Sequence, residues 1–334
     1  MKSNRRTVSI IFCSITLLLL IIDAPTASNG AFAGIELCMK VLIPSLFPFF
    51  LTITYTNDLI TGHTFPGLRF PGRILKLPSG GESILFLGFL GGYPVGAKLV
   101  SDQYRNKQIS KRTAQILLGY CSNAGPAFIF GIAGLLFANK WAPVFLWLTH
   151  MISAVITGYM LPKPNADRIS VTKTGRTSLS GAMKSSIQTC AAVCGWVITF
   201  KIIEGYLSKW LSNRASPMFM YILQGLLELS NGCIALHTLT SEALRYILVS
   251  GFLAFGGICV LLQTTSVTQE LGIGLYIPGK IIQTGISLII SAFILVHNLT
   301  LSTLGTIIVP SILSIFLTYA VVKKRCGNSV QNHV

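Results

Sequence analysis

Two charged side chains of this sequence stand inside apolar stretches. Glu228 lies in the middle of the run 217–236, and Lys98 follows the glycine-rich turn of the run 83–100. A carboxylate in hydrocarbon costs on the order of 3 kcal/mol, so acids at that depth usually mark the path of a substrate or an ion. We predict that Glu228 contacts a hydroxylated substrate, binds a coupling proton or Na+, or pairs with Lys98, with a purely structural ion pair as the alternative.

Lys98 would supply positive charge to an anionic cargo, and broken helices would add N–H donors at their exposed starts. The alternative is that its ammonium group extends to the cytoplasmic interface along an apolar stem. Hydroxyl and amide groups beside the breaks offer neutral hydrogen bonds, although the same residue types also hold membrane helices together. The predicted substrate-binding residues are Gly92, Tyr93, Pro94, Gly96, Lys98, Ser122, Asn123, Glu228, Ser230, Asn231 and Gly257.

The sequence shows no pattern typical of catalysis, of a metal site or of a cofactor. Cys190 and Cys194 are spaced to share a helix face, but no neighbouring histidine or acid completes a metal site. The eight cysteines suggest no disulfide framework, since nearly all lie in apolar runs. There is no phosphate-binding loop, and no nucleophile, base and orienting group occur together. We therefore predict a protein that is not an enzyme and needs no cofactor.

Helix-breaking residues interrupt two apolar segments in the stretch 88–134. The first break runs from Gly91 to Gly96, and the second from Cys121 to Pro126. Proline lacks an N–H donor and glycine relaxes the backbone, so both breaks leave peptide groups unpaired. A membrane tolerates such groups only where they are buried in protein or line a polar cavity. Because broken segments in both halves of a chain are typical of transporters, the pattern predicts a transport site, with close helix packing as the alternative.

The composition is that of an integral membrane protein. Hydrophobic residues make up 51% and charged residues 11% of the chain, and the mean hydropathy is +0.67. Soluble domains contain about 25% charged residues. The net charge of +16 does not indicate nucleic acid, because the basic residues lie mainly between the apolar runs, as in cytoplasmic loops. We predict an all-α, multi-pass protein whose partners are the lipid bilayer and a small-molecule cargo.

The positions of the basic residues predict the topology. The run 83–100 has basic loops on both sides, so we expect a re-entrant hairpin that turns near Gly91 to Gly96. The run 217–236 predicts a second hairpin that enters from the opposite side. The predicted parts are an N-terminal signal-anchor helix at 1–30, with a cleaved signal peptide as the alternative, a first inverted repeat at 31–161, a cytoplasmic linker at 162–183, a second inverted repeat at 184–322 and a cytoplasmic tail at 323–334.

Three motifs resemble those of a known family. They are GFLGGYPVGAKLVSD at 88–102, CSNAGPAFIFG at 121–131 and LLELSNG at 226–232. The chain resembles the sporulation integral membrane proteins of the YlbJ family from about residue 34 to residue 295. That family is similar to the nucleoside-recognition, or Gate, domain membrane proteins, and more remotely to the concentrative nucleoside transporters. The resemblance implies two inverted repeats, each with a re-entrant helical hairpin and a broken helix.

The resemblance also implies a function and a location. The chain would transport dipicolinate, a small aromatic dicarboxylate, across the outer forespore membrane of a spore-forming bacterium, with both termini in the cytoplasm. The alternatives are transport of a nucleoside or nucleobase by a Gate-domain protein, and a non-transporting scaffold of the sporulation membrane. A homo-oligomer is compatible with the sequence, and no nucleic-acid partner is predicted.

Overall fold

The computed structural model describes residues 14, 16–60, 68–77, 81–164, 178–211 and 213–296. All of the regular elements in these ranges are helices, as the composition predicts. The chain is an integral membrane protein whose described part is all-α. The helical segments that are long and apolar enough to cross a membrane within these ranges are Ala24–Asn57, Ala142–Met160, Leu179–Leu211, Glu242–Val267 and Tyr276–Leu295.

Some predicted parts lie outside the described residues. These are the first 13 residues of the predicted anchor, residues 165–177 of the linker, residues 297–322 of the second predicted repeat and the tail at 323–334. The orientation of the termini stays a prediction.

The described residues before the linker form a series of long and short helices. Helix α1 runs into α2 through a π-helical turn at Cys38–Leu42, and a 3-10 turn follows α7 at Ala133–Leu136. The helices are α1 (Ala24–Leu37), α2 (Ile43–Ile60), α3 (Arg69–Ile74), α4 (Glu82–Gly91), α5 (Val95–Arg105), α6 (Lys111–Cys121), α7 (Pro126–Gly131) and α8 (Ala142–Met160).

The described residues after the linker repeat this order. Both halves contain a long helix, two short helices joined by a tight connection, a helix broken in its middle and a second long helix. Helix α3 has no counterpart after the linker, and the pair of inverted repeats stays a prediction. The helices are α9 (Leu179–Leu211), α10 (Pro217–Leu227), α11 (Leu229–Ala235), α12 (Glu242–Phe255), α13 (Gly257–Val267) and α14 (Tyr276–Val296).

Glycine and proline end the short helices where the sequence predicts breaks. Helix α4 ends before Gly92, whose φ of +70° is a conformation that other residues rarely adopt. Helix α6 ends at Cys121, and α7 begins at Pro126. The break between α12 and α13 lies at Gly256, which has a φ of +82°. The first hairpin therefore turns within the predicted stretch, and the second apolar segment is discontinuous at the predicted break.

Small residues allow the helices around the centre to pack closely. Helix α9 lies along α1, and a Cβ atom added at Gly34 would lie 2.8 Å from the Cα atom of Ile198. Helix α14 packs against α8 and α12. The hydroxyl groups of Ser250 and Ser287 lie 2.7 Å apart in the contact between α12 and α14. Such contacts are typical of helix association in membranes.

Gly96, one of the predicted site residues, holds α5 against α6. A Cβ atom added at Gly96 would lie 2.4 Å from the carbonyl oxygen of Cys121, and one added at Gly88 would lie 2.3 Å from the same oxygen. The structure thus gives Gly96 a packing role at the first hairpin.

We expect Gly96→Ala to lower the melting temperature of the detergent-solubilised protein, because overpacking a tight contact costs about 1–3 kcal/mol. Gly195→Ala is the matched control, since nothing lies within 4 Å of a Cβ atom added at Gly195. Alanine also has a higher helix propensity than glycine, so the substitution by itself does not disfavour the helix. Thermal unfolding of the two variants checks this prediction, and equal melting temperatures would contradict the tight contact at Gly96.

Candidate functional site

A cavity of about 40 Å³ lies where the two helical hairpins meet the broken helices. It is lined by both hairpins, by the α6–α7 break, and by α2, α9 and α13. Most of its wall is apolar. The lining residues that could recognise a cargo are Tyr93, Glu228, Ser230 and Gln263.

The connection of the first hairpin touches the break between α6 and α7. A Cβ atom added at Gly125 would lie 2.8 Å from the backbone nitrogen of Gly92 and 3.0 Å from the carbonyl oxygen of Leu90. The contact is one of backbone on backbone, which only glycine permits at this distance. The first hairpin is therefore placed by the break in its own half of the chain.

The second hairpin touches the break in its half in the same way. A Cβ atom added at Gly257 would lie 3.2 Å from the carbonyl oxygens of Gly225 and Leu227. Gly257 has a φ of +81°, so a side chain there would also strain the backbone. Gly257, a predicted site residue, thus positions the second hairpin.

Tyr93 joins the two halves at the cavity. Its hydroxyl group lies 3.4 Å from the carbonyl oxygen of Leu253, near the end of α12, and donates to it. A Cβ atom added at Gly256 would lie 3.3 Å from Cζ of Tyr93. Tyr93 is also one of the residues that line the cavity. The connection of the first hairpin therefore reaches the helix break of the second half.

Glu228 lines the cavity and also begins α11. Its side chain is 3% exposed, and its backbone is extended between α10 and α11. One carboxylate oxygen accepts a hydrogen bond of 2.7 Å from the backbone N–H of Asn231. Glu228 is thus the N-cap of α11, a structural role that coexists with its position on the cavity wall.

Lys280 of α14 is a second buried charged residue at this centre. Its side chain is 2% exposed, and it makes no ion pair among the described residues. The Nζ atom donates to the carbonyl oxygen of Ser122 at 2.5 Å, Oε1 of Gln283 at 2.7 Å and the hydroxyl oxygen of Tyr93 at 2.9 Å, with Oδ1 of Asn123 at 3.4 Å. It also lies 5.1 Å from the centre of the Tyr93 ring.

Side chains of α8 and α14 satisfy the open backbone between α6 and α7. The carbonyl oxygen of Ser122 accepts from Lys280, and the N–H of Ala124 donates to Nε2 of His150 at 3.0 Å. The side chain of Asn123 donates to the carbonyl oxygen of Tyr120 at 2.7 Å. The break is therefore held open by specific partners.

One curated protein is similar to this chain over most of its length. The sporulation integral membrane protein YlbJ of Bacillus subtilis (strain 168) is 26% identical over 302 residues, which cover 75% of this chain and 72% of that protein. This chain is a relative of YlbJ. The comparison confirms the family resemblance that the sequence motifs indicate. No family model and no solved structure match the chain, and the more remote likeness to Gate-domain proteins stays a prediction.

The predicted site residues of this YlbJ relative fall into three groups. Gly92, Tyr93, Glu228 and Ser230 line the cavity. The second group lies next to the cavity and consists of Pro94, Ser122, Asn123, Asn231 and Gly257. Ser122 and Asn123 contact Lys280, and the N–H of Asn231 donates to the carboxylate of Glu228. Gly257 positions the second hairpin, and Pro94 precedes α5. The third group lies off the cavity wall and consists of Gly96 and Lys98.

Lys98 is not one of the residues that line the cavity. Its Nζ atom donates to the hydroxyl oxygen of Ser185 at 2.5 Å. The described residues contain no ion pair between Lys98 and Glu228, so that alternative for Glu228 is not formed. Within the same ranges no group of three or more histidine, cysteine or acidic residues could hold a metal ion.

Sequence reasoning missed Lys280 because this lysine stands near the start of an apolar run, where lysines usually extend to the interface. The one local signal is its spacing from Gln283, three residues later on the same helix face of an otherwise apolar segment. The sequence alone does not show that this face turns toward the α6–α7 break.

We expect Glu228→Ala to lower the melting temperature of this YlbJ relative in detergent, because loss of an N-cap costs about 1 kcal/mol. Glu228→Gln keeps an acceptor oxygen for the Asn231 N–H and should lose less. Glu270→Ala is the control, since the Glu270 side chain is 61% exposed. Thermal unfolding of the three variants checks the prediction. Equal melting temperatures of Glu228→Ala and the wild type would show that the cap contributes nothing.

Proposed function

We propose that this chain transports a small aromatic anion across a membrane, with dipicolinate as the cargo during sporulation. The observation that supports this most is that both hairpins, the α6–α7 break and α13 line one cavity, whose wall includes the buried carboxylate of Glu228. Discontinuous helices that meet around a polar site are typical of secondary transporters. The relative YlbJ is a sporulation integral membrane protein, which supports a role of this chain in sporulation.

The wall of the cavity suits an aromatic anion. The Tyr93 ring offers a stacking surface, and the Lys280 Nζ atom lies 5.1 Å from the centre of that ring. A positive charge about 6 Å from a carboxylate is worth on the order of 3 kcal/mol at an effective dielectric constant of about 20. Lys280 takes the role that the sequence predicts for Lys98: it provides a positive field next to the cargo.

The size of the cavity requires the hairpins to move during transport. Its volume of about 40 Å³ holds a few water molecules, whereas pockets for organic ligands measure about 300–1,000 Å³. Both hairpins meet the breaks through close glycine backbone contacts, and the side chains of Tyr93 and Phe252 pack beside them. We propose that the cargo enters when one hairpin separates from its break, and that the two hairpins open to opposite sides of the membrane.

A nucleoside or nucleobase is the second candidate cargo. Glu228 and Gln263 both line the cavity, and a carboxylate with an amide can bind the hydroxyl groups of a sugar and the polar edge of a base. An ionised Glu228 would also repel a dicarboxylate.

We assign the chain to the outer forespore membrane as part of the same proposal. A proton is compatible with Glu228 as the coupling ion, and the scaffold alternative is an outcome of the following test.

Purified protein in liposomes should release entrapped dipicolinate faster than empty liposomes do. We expect Glu228→Gln and Tyr93→Ala to slow this release at least tenfold, since each removes a group from the cavity wall. Glu270→Gln is the matched control and should retain the wild-type rate. The measurement is efflux of radiolabelled dipicolinate, with uridine and adenine entrapped in parallel.

The parallel arms separate the alternatives. Release of uridine or adenine without release of dipicolinate would favour the second candidate. If a folded protein released none of the three compounds, the transport proposal would fail and the scaffold would be favoured.

A further inference from the structure

The surroundings of the Lys280 Nζ atom form a cage of oxygen atoms. Its members are a backbone carbonyl (Ser122), two side-chain amides (Asn123 and Gln283) and a hydroxyl group (Tyr93), at 2.5–3.4 Å. No carboxylate takes part, and Lys280 is 2% exposed. Neutral oxygen atoms of this kind are also the ligands that proteins use for small hard cations.

The cage is built to face a cation. An ammonium group has three N–H donors and no acceptor, and four oxygen atoms surround this one. The Nε2 atom of Gln283 donates to Oδ1 of Asn123 at 2.9 Å, which turns the oxygen of each amide toward Lys280. Without a positive centre, these oxygen atoms would face one another in a buried space with too few donors.

The position of the cage is that of an ion site in a secondary transporter. In such proteins, unwound backbone carbonyls at helix breaks coordinate the coupling cation near the substrate. Here the carbonyl group belongs to Ser122 in the α6–α7 break, and the cage shares Tyr93 with the cavity. The ammonium group stands where a free cation would otherwise bind.

We propose that Lys280 is a tethered cation that occupies a monovalent-cation site at the α6–α7 break, so that the chain works without Na+. The ammonium group holds the break and the first hairpin together through Ser122 and Tyr93. All of its N–H donors are directed at the cage, so it acts on the cargo through its field and does not bind it directly. The cage itself rests on geometry alone, and its consequence for coupling rests on the proposed function.

Thermal stability in detergent tests the cage without any cargo. Lys280→Ala removes the ammonium group and leaves the four oxygen atoms, so Na+ or ethylammonium should raise its melting temperature by several degrees in a saturable way. Choline at the same ionic strength is too large for the cage and should have no such effect. The wild type should have the same melting temperature in all three salts. Lys98→Ala is the matched control, because Lys98 contacts Ser185 outside the cage.

Two outcomes would overturn the proposal. One is a folded Lys280→Ala protein that neither Na+ nor ethylammonium stabilises more than choline does. The other is a wild-type melting temperature that is higher in Na+ than in choline. This comparison can be made even if Lys280→Ala does not fold.

The transport arm of the test separates this proposal from the proposed function. Dipicolinate efflux by the wild type should be equal in Na+ and in choline, and ethylammonium should restore part of the efflux that Lys280→Ala loses. A wild-type efflux that requires Na+ would overturn the tethered cation. If the wild type moves no cargo, the transport proposal fails, while the stability measurements still decide the nature of the cage.

Discussion

The constraint on which this structure depends is that peptide groups left open inside a membrane must find partners within the protein. At the α6–α7 break, Lys280 donates to the Ser122 carbonyl group and His150 accepts from the Ala124 N–H. At the second hairpin, the carboxylate of Glu228 accepts from the Asn231 N–H. Buried charged and polar side chains from distant parts of the sequence thus make the breaks possible, and the breaks make room for a cavity.

Glycine determines how the hairpins approach these breaks. Gly92 meets Gly125 in the first half, and Gly257 meets the carbonyl groups of Gly225 and Leu227 in the second. Both contacts are backbone to backbone, and Tyr93 connects the two halves through Leu253. The arrangement therefore places the Glu228 carboxylate and Tyr93 on the wall of one cavity, and the Lys280 ammonium group donates to the Tyr93 hydroxyl group. An aromatic anion, or a nucleoside, would have to open one of those contacts to enter.

The elements whose signals are local were predictable from the sequence. The turn near Gly92, the break before Pro126 and the break at Glu228 follow from glycine, proline and a charged residue in apolar runs, and the structure has each of them. The lysine of the site was not predictable, because the sequence cannot show which helix face turns inward. Lys98 lies beside the glycine-rich turn but contacts Ser185, whereas Lys280 reaches the break from more than 150 residues away. The inversion of the two repeats depends on the position of the membrane, which helix boundaries alone do not supply.

The central claim is that the cavity between the hairpins and the breaks is the cargo site, and cysteine accessibility tests it most directly. Ser230→Cys, in a protein whose eight native cysteines are replaced, puts a thiol on the cavity wall. Ser287→Cys puts the control thiol in the α12–α14 contact. We predict that a membrane-impermeant thiosulfonate modifies only the Ser230→Cys protein, and that dipicolinate slows this modification. A Ser230→Cys thiol that does not react, or whose reaction neither dipicolinate nor a nucleoside slows, would contradict the account.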